Sequence, residues 1–296
     1  MKLCRYQETA EGPVRLGLVR DGMVHDVTAA TEALPAVRWP YPPGDQVLAN
    51  LDALRPQMER LADAAPGVPV ADVLLRAPIA NPGKFVCGAG NHKVVIGHGH
   101  PRRFGFLFKT INANAGPADG VTLRWPERTT LHEAEIAIVI GKTCTEVAAA
   151  DAFDVIAGYC LALDMTMQGP EFSSFGKCFD TYGVMGPWLT TADEVENPDN
   201  LAYRLTVNGE ERTVDTTANL VLGIADLVEH AASVMTLHPG DVIFSGTPPT
   251  GLGPVVPGDV MHMTMDGLGE MTVAVRGGPG RKTPMDGMEG ESPQDG

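Results

Sequence analysis

The sequence has few basic residues: 22 Lys and Arg stand against 37 Asp and Glu among 296 residues, which gives a formal net charge of −15. An excess of negative charge this large repels phosphate backbones and anionic lipid surfaces. It therefore disfavours nucleic acid or a membrane as the main partner. An anionic substrate would need a locally positive site, such as a metal ion.

Long apolar runs and paired cysteines are also missing. No segment approaches the ~18 uninterrupted apolar residues of a membrane span. The N-terminal stretch reaches Glu8 before any apolar segment could act as a signal-peptide core. The five cysteines are scattered without a CxxC pair, which disfavours a zinc site or a disulfide framework. These absences predict a soluble, cytoplasmic protein with reduced thiols.

Common nucleotide-binding and nucleophile signatures are absent too. Gly88-Ala-Gly90 lacks the third glycine and the following helix of a dinucleotide fingerprint, and the chain contains no GxxxxGK[ST] loop and no GxSxG elbow. The absence of these motifs disfavours a nucleotide-dependent enzyme and a serine hydrolase.

The pattern along the chain predicts a mixed α/β protein that is mainly β. Two short β-type runs joined at Asp21-Gly22 open the chain, and this dipeptide suits a hairpin turn. A helix is expected over residues 47–65, interrupted or bent near Pro56. Further β-type runs dominate the rest, with a helical pattern over residues 219–235. We expect a small β-rich N-terminal domain over residues 1–80, a catalytic domain over 81–277 and a disordered tail over 278–296.

Three acidic residues form a candidate metal site. Glu133 and Glu135 alternate with apolar residues in LHEAEIAIVIG, so in a strand they share one face with Cα atoms ~6.6 to 7 Å apart. Asp164 is the one charge in GYCLALDMT, and a lone carboxylate at the end of a buried strand needs a partner. Three carboxylates suit a hard cation such as Mg²⁺ or Mn²⁺. A solvated strand end and a loop cap or ion pair are the alternatives.

An ordered series of motifs resembles that of the fumarylacetoacetate hydrolase superfamily. The series consists of Glu133 to Gly141, Gly158 to Asp164, Lys177 to Asp180 with Gly186-Pro187-Trp188, Val207 to Glu210, Leu237 to Ile243, and Gly246-Thr247-Pro248. The resemblance covers roughly residues 81–275. It implies a mixed β-roll catalytic domain in which Glu133, Glu135 and Asp164 hold Mg²⁺ or Mn²⁺, and in which the metal chelates a 2-oxo acid.

The resemblance also implies roles for residues around the metal. Lys177 resembles the family lysine that points into the pocket and stabilises a developing enolate or carboxylate; an ion pair, for example with Asp180, is the alternative. Gly246 and Thr247 resemble the loop that binds the substrate carboxylate, although a tight turn would also explain them. Lys109 matches a family position near the site, or is an exposed lysine.

The catalytic base is the first departure from the family pattern. Hydrolytic relatives carry a water-activating histidine four residues after the asparagine of a GxNY motif. The corresponding segment here contains Asn91, a candidate substrate contact, and Val95 occupies the histidine position. His98 and His100 follow a few residues later and are candidate bases, with surface histidines of a Gly-rich loop as the alternative.

Substrate recognition is the second departure. Relatives often carry an arginine four residues after the metal-binding aspartate, where this chain has Gln168. Gln168 is therefore a candidate substrate contact, and Arg102 or Arg103 is a candidate source of the missing guanidinium.

The expected function is that of a Mg²⁺- or Mn²⁺-dependent enzyme acting on a 2-oxo or 1,3-dioxo acid through a metal-bound enolate. Carbon–carbon hydrolysis of an acylpyruvate-like substrate is the leading reaction. Isomerisation, decarboxylation or dehydration on the same enolate is the alternative, and a binding protein that keeps the fold without catalysis is a third possibility. The resemblance also implies a homodimer.

Overall fold

The computed structural model describes residues 1–64, 66–94 and 100–278. The predicted tail thus lies outside the described residues except for Gly278, and Val95 and His98 lie outside them as well. In the described part of the chain the α-helices are α1 (Gln46–Ala49), α2 (Leu51–Ala64), α3 (Pro101–Phe104), α4 (Ser173–Lys177) and α5 (Ile224–Val234). No helix among them is long and apolar enough to cross a membrane.

Strands make up most of the regular structure. They are β1 (Lys2–Gln7), β2 (Arg15–Arg20), β3 (Met23–Asp26), β4 (Val68–Pro69), β5 (Leu74–Arg76), β6 (Phe85–Gly88), β7 (Phe106–Lys109), β8 (Asn114–Ala115), β9 (Val121–Leu123), β10 (Thr130–His132), β11 (Ala134–Ile140), β12 (Ile156–Asp164), β13 (Thr166–Met167), β14 (Gly183–Thr191), β15 (Ala202–Val207), β16 (Glu210–Thr216), β17 (Val242–Phe244), β18 (Gly253–Val255), β19 (Val260–Met265) and β20 (Gly269–Gly277). The predicted mixed α/β fold with mainly β structure is confirmed.

The strands of the described residues form three sheets. A 12-stranded sheet has the order β4-β3-β2-β1-β14-β12-β11-β17-β6-β7, with β5 beside β1 and β8 beside β14. A five-stranded sheet has the order β16-β15-β19-β20-β9, and a three-stranded sheet has the order β13-β10-β18. Most pairs are antiparallel, whereas β17–β6, β14–β8 and β20–β9 are parallel. The large sheet places β11 and β12 side by side near its centre.

The N-terminal residues form the expected hairpin. Asp21 and Gly22 take φ angles of 48° and 75° between β2 and β3, as a tight hairpin turn requires. β1 then pairs with β14, so the N-terminal strands continue the large sheet. The division of the chain at residue 80 stays a prediction.

The expected helix over residues 47–65 is interrupted at Asn50 rather than at Pro56. Asn50 ends α1 with non-helical angles, and Pro56 lies inside α2. Pro56 and Asp52 are both exposed, so water can bond the Asp52 carbonyl that the proline cannot reach. The later helix, α5, begins at Ile224 rather than near residue 219. The backbone N–H of Ile224 donates a hydrogen bond to Asp199 Oδ1 at 2.7 Å.

β11 is buried on both faces. Ile136, Ile138 and Ile140 belong to a core that also contains residues of β15, β19 and α5. Ala137 and Val139 point to the opposite face and belong to a second core with residues of α1 and α2. Because successive side chains of a strand alternate between faces, this double burial explains the almost continuous apolar run. Glu133 lies just before β11, and Glu135 is its second residue.

Candidate metal centre

Three carboxylates meet where β11 begins and β12 ends. One oxygen from each of Glu133, Glu135 and Asp164 lies within 4.8 Å of the others. The antiparallel register pairs Ala134 with Leu163, and the Asp164 backbone N–H donates to the Glu133 carbonyl at 2.9 Å. The structure therefore brings together the three acids that the sequence predicted as metal ligands.

Burial makes this cluster electrostatically costly. Asp164 and Glu135 are only 1% and 2% exposed. Burial, followed by the charges of Asp164 and Glu133, raises the pKa of Glu135 well above its ordinary value. Burial also raises the pKa of Glu133. The cluster therefore favours protons on its glutamates until a cation replaces them.

Lys177 lies directly against the cluster. Its Nζ donates to Asp164 Oδ2 at 2.7 Å, Glu133 Oε2 at 3.1 Å and Thr166 Oγ1 at 2.8 Å. Asp180 is the partner that the sequence suggested for Lys177. It instead accepts a hydrogen bond from the Asn112 side chain at 2.5 Å. The helix α4 thus turns Lys177 into the site, where its ammonium can stabilise negative charge on a bound substrate.

Lys109 supports Asp164 from its other side. Its Nζ lies 2.5 Å from Asp164 Oδ1 and donates to the Met165 carbonyl at 2.8 Å, and its side chain is fully buried. Burial raises the pKa of Asp164, but the ammonium groups of Lys109 and Lys177 hold this pKa below its usual value. The position at the site agrees with the sequence prediction. A direct contact with substrate stays a prediction.

The donor set fits a hard divalent cation. All three candidate ligands offer carboxylate oxygens, which Mg²⁺ and Mn²⁺ prefer over softer donors. Two lysines balance only part of the charge of three ionised acids. A divalent cation therefore has both oxygen ligands and a residual negative charge to bind.

The loop after β17 closes another side of the cluster. The Gly246 N–H donates to Glu135 Oε2 at 2.6 Å. Gly246 has φ +94°, and a Cβ there would lie 2.8 Å from the Gly88 carbonyl oxygen, so only glycine suits the position. Next to it, the buried Thr247 Oγ1 has no hydrogen-bond partner among the described residues. An unpaired buried hydroxyl is consistent with the predicted binding of a substrate carboxylate.

Asn91 has a different set of partners. Its Nδ2 donates to the carbonyls of Leu222 and Ser245, both at 2.9 Å, and its Oδ1 accepts from Leu222 N–H at 2.7 Å. Through these bonds the fully buried amide of Asn91 connects its own segment to the segments of Leu222 and Ser245. A substrate contact by Asn91 stays a prediction.

The remaining candidates lie in other surroundings. His100 is exposed and caps α3, since its Nδ1 accepts from Arg102 N–H at 3.3 Å. The Arg102 guanidinium donates to Glu229 on α5 at 2.7 Å. Gln168 is exposed, and its backbone N–H bonds the Thr129 carbonyl. Within the described ranges, no hydrogen bond joins these three candidates to the acid cluster; His98 lies outside those ranges.

A buried histidine–carboxylate pair escaped the sequence prediction. His92 Nε2 lies 2.6 Å from Asp215 Oδ2, and the two side chains are 4% and 8% exposed. The Tyr203 hydroxyl donates to the same Asp215 oxygen at 3.5 Å. The paired residues stand 123 positions apart, so no local spacing could indicate the contact.

Comparison with known proteins identifies the family. The model of the fumarylacetoacetate (FAA) hydrolase C-terminal family matches residues 85–276. The chain therefore belongs to this family, as its motifs predicted. Maleylpyruvate hydrolase of Aquipseudomonas alcaligenes is 43% identical over 291 residues, which cover 93% of this chain and 99% of that protein.

Solved structures agree with this assignment. Maleylpyruvate hydrolase from Sphingobium sp. SYK-6, in complex with manganese (II) ion and pyruvate, matches with a TM-score of 0.81 and 39% identity, covering 94% of this chain and 100% of that one. A 5-carboxymethyl-2-hydroxymuconate delta-isomerase from Mycobacterium smegmatis matches with a TM-score of 0.70 and 29% identity, covering 94% and 99%. The predicted enzyme class and its dependence on a divalent metal are confirmed.

Proposed function

We propose that the protein is a Mn²⁺- or Mg²⁺-dependent acylpyruvate hydrolase that cleaves maleylpyruvate or a close analogue into pyruvate and a carboxylic acid. The observation that carries this proposal is the buried cluster of Glu133, Glu135 and Asp164 with Lys177 against it. The similarity to maleylpyruvate hydrolases along 93% of the chain supports this substrate class.

A divalent cation held by the three acids would supply a Lewis acid that polarises the keto oxygen of a chelated 2-oxo acid. The protein's own groups then complete the site. Lys177 lies within 3.1 Å of two of the acids, so its ammonium is placed to stabilise negative charge that develops beside them. Gly246 orients Glu135 through its N–H, and the unpaired Thr247 hydroxyl receives the substrate carboxylate.

The proposal is tested by mixing the protein with Mn²⁺ and maleylpyruvate and measuring pyruvate with a coupled dehydrogenase. We expect turnover that EDTA abolishes and that Mn²⁺ restores. Glu135→Gln should lower kcat/KM by on the order of 100-fold or more, because a ligand to the catalytic cation is lost. The exposed Glu11→Gln variant serves as the matched control. Absence of turnover in the wild-type protein would refute the proposal.

Isomerisation is the second candidate function. The similarity to a delta-isomerase structure at 29% identity favours it over decarboxylation or dehydration. Chromatography of the same reaction separates the two outcomes, because an isomer retains every carbon atom whereas hydrolysis yields pyruvate.

We infer that the protein acts as a homodimer. Large apolar side chains lie exposed on β7, which ends the 12-stranded sheet, and near α4, which contacts it. Phe172 is 92% exposed, Ile111 60% and Phe108 42%. Exposed apolar groups beside an unpaired strand edge are typical of a surface that another chain covers.

We further propose a cytoplasmic location. All five cysteines are free thiols, four of them buried. Unpaired cysteines of this kind are typical of a reducing compartment.

A further inference from the structure

We propose that His92, oriented by Asp215, is the proton acceptor that activates the attacking water. This assignment rests on the hydrolysis proposed above, which requires a base. Two residues on distant segments form the pair, at 2.6 Å and almost without solvent exposure. A histidine whose second nitrogen is held by a carboxylate is the usual arrangement of an oriented general base.

The hydrogen bonds assign the protonated nitrogen of the ring. Asp215 accepts from the Thr216 N–H at 2.8 Å and from the Asn219 side chain at 2.5 Å, in addition to Tyr203. An ionised carboxylate can only accept, so the proton between the pair lies on His92 Nε2. Nδ1 therefore keeps the basic lone pair.

The lone pair on Nδ1 is only weakly engaged. It accepts the Val94 N–H at 3.3 Å, beyond the usual 2.7 to 3.2 Å range for such bonds. A water molecule that replaces this contact can hand its proton to Nδ1, since hydrogen bonds of catalytic bases often tighten only when substrate binds.

Asn91, the residue before His92, packs against the loop that contacts the acid cluster. His92 follows Asn91, whose Cβ lies 3.1 Å from the position that a Cβ on Gly246 would take. Gly246 in turn bonds Glu135 at 2.6 Å. Burial, Asp215 and then Glu135 raise the pKa of Tyr203, which puts the Asp215 network within electrostatic reach of the cluster.

Other described histidines suit this role less well. Burial, followed by the charge of Arg212, lowers the pKa of His132 to about 4, which makes it a weak base at neutral pH. His100 is an exposed helix cap. His230 is half-buried on α5, where burial, followed by the charges of Arg102 and His100, lowers its pKa, and its ring packs against Phe106 with centroids 4.6 Å apart. Within the described ranges, His92 and Asp215 form a buried histidine–carboxylate hydrogen bond, whereas the contact of His262 with Glu270 is exposed.

In the proposed cleavage His92 acts first as a base and then as an acid. His92 Nδ1 takes one proton from water while the water oxygen bonds the acyl carbonyl carbon of the substrate. The tetrahedral adduct then breaks the bond between that carbon and the methylene carbon of the pyruvyl group, which receives the electron pair. The proton on His92 passes to this carbon and gives the methyl group of pyruvate. The acyl group leaves as a carboxylic acid, which loses its remaining proton to solvent.

His92→Gln tests the assignment, because the glutamine amide can still donate to Asp215 but cannot accept a proton. With Mn²⁺ and maleylpyruvate we expect kcat to fall by about 100-fold or more, the usual contribution of general base catalysis. KM, Mn²⁺ affinity and the thermal midpoint should stay near the wild-type values. A merely structural role for the ring predicts instead that glutamine preserves kcat.

Asp215→Asn, which is nearly isosteric, decides the question if His92→Gln does not fold. It should also lower kcat, because it removes the charge that orients and stabilises the protonated ring. Wild-type kcat in either folded variant would overturn the assignment, as would a loss of turnover confined to His98→Ala. Failure of the wild-type protein to hydrolyse the substrate refutes the proposed function instead, so the two failures are distinguishable.

Discussion

Mn²⁺ binding at the acid cluster is expected to release protons. Burial, with the neighbouring charges of Asp164 and Glu133, raises the pKa of Glu135 well above 4.5. Between pH 4.5 and that raised pKa, the metal-free protein therefore carries a proton on Glu135. A carboxylate must lose its proton to bind a cation, so the Mn²⁺ affinity should rise with pH across this window.

The structure sets the size of the effect. One released proton makes the dissociation constant fall about tenfold per pH unit, or about 1.4 kcal/mol. Burial raises the pKa of Glu133 as well, so any proton that Glu133 holds adds to the release. Lys177, whose pKa the acids raise despite its burial, stays charged and contributes none.

Titration calorimetry at pH 5 and 6, in buffers with different ionisation enthalpies, measures both the proton count and the affinity. Glu135→Gln should bind Mn²⁺ more weakly and release about one proton fewer, because the glutamine amide does not ionise. Glu11→Gln should match the wild-type protein. A release below about 0.3 proton, with an affinity independent of pH, would refute the electrostatic reasoning.

Two further changes probe the charges around the site. Lys109→Met removes an ammonium 2.5 Å from Asp164 and should cost about 3 to 5 kcal/mol in urea unfolding with EDTA. Saturating Mn²⁺ should reduce the loss; an equal loss with and without metal, or a similar loss in the exposed Lys142→Met control, contradicts the charge argument. The pKa of His132 is 6.5 in the unfolded chain and about 4 in the folded protein. Stability should therefore fall as the pH drops from 6.5 to about 4. His132→Gln should remove up to about 3 kcal/mol of that pH dependence in urea unfolding at pH 7 and 4, whereas a surface His262→Gln variant should keep it.

The metal centre was predictable because its signals are local. Strand alternation alone puts Glu133 and Glu135 on one face. Asp164 is conspicuous as the single charge in an apolar strand. The antiparallel register of β11 and β12 then brings the two segments together, which the sequence implied only through the family resemblance.

The partners of the cluster depend on contacts that no local pattern contains. Lys177 lies three positions from Asp180, yet α4 directs it to Asp164 and Glu133. His92 and Asp215 meet because their segments pack across 123 residues of chain. Side-chain direction and long-range packing determine these contacts, whereas sequence spacing reports only neighbours on one element.

The charges of the site also order the binding events. Two lysines do not neutralise three ionised acids, so without a cation the site has little net attraction for an anion, in a chain whose net charge is −15. A divalent cation bound by the three ionised acids leaves the cluster and its two lysines with a net positive charge. The metal-bound site then attracts the carboxylate of a 2-oxo acid, which the metal-free site does not, because electrostatic attraction is strong in a buried environment. The arrangement of three acids and two lysines therefore favours metal binding before substrate binding.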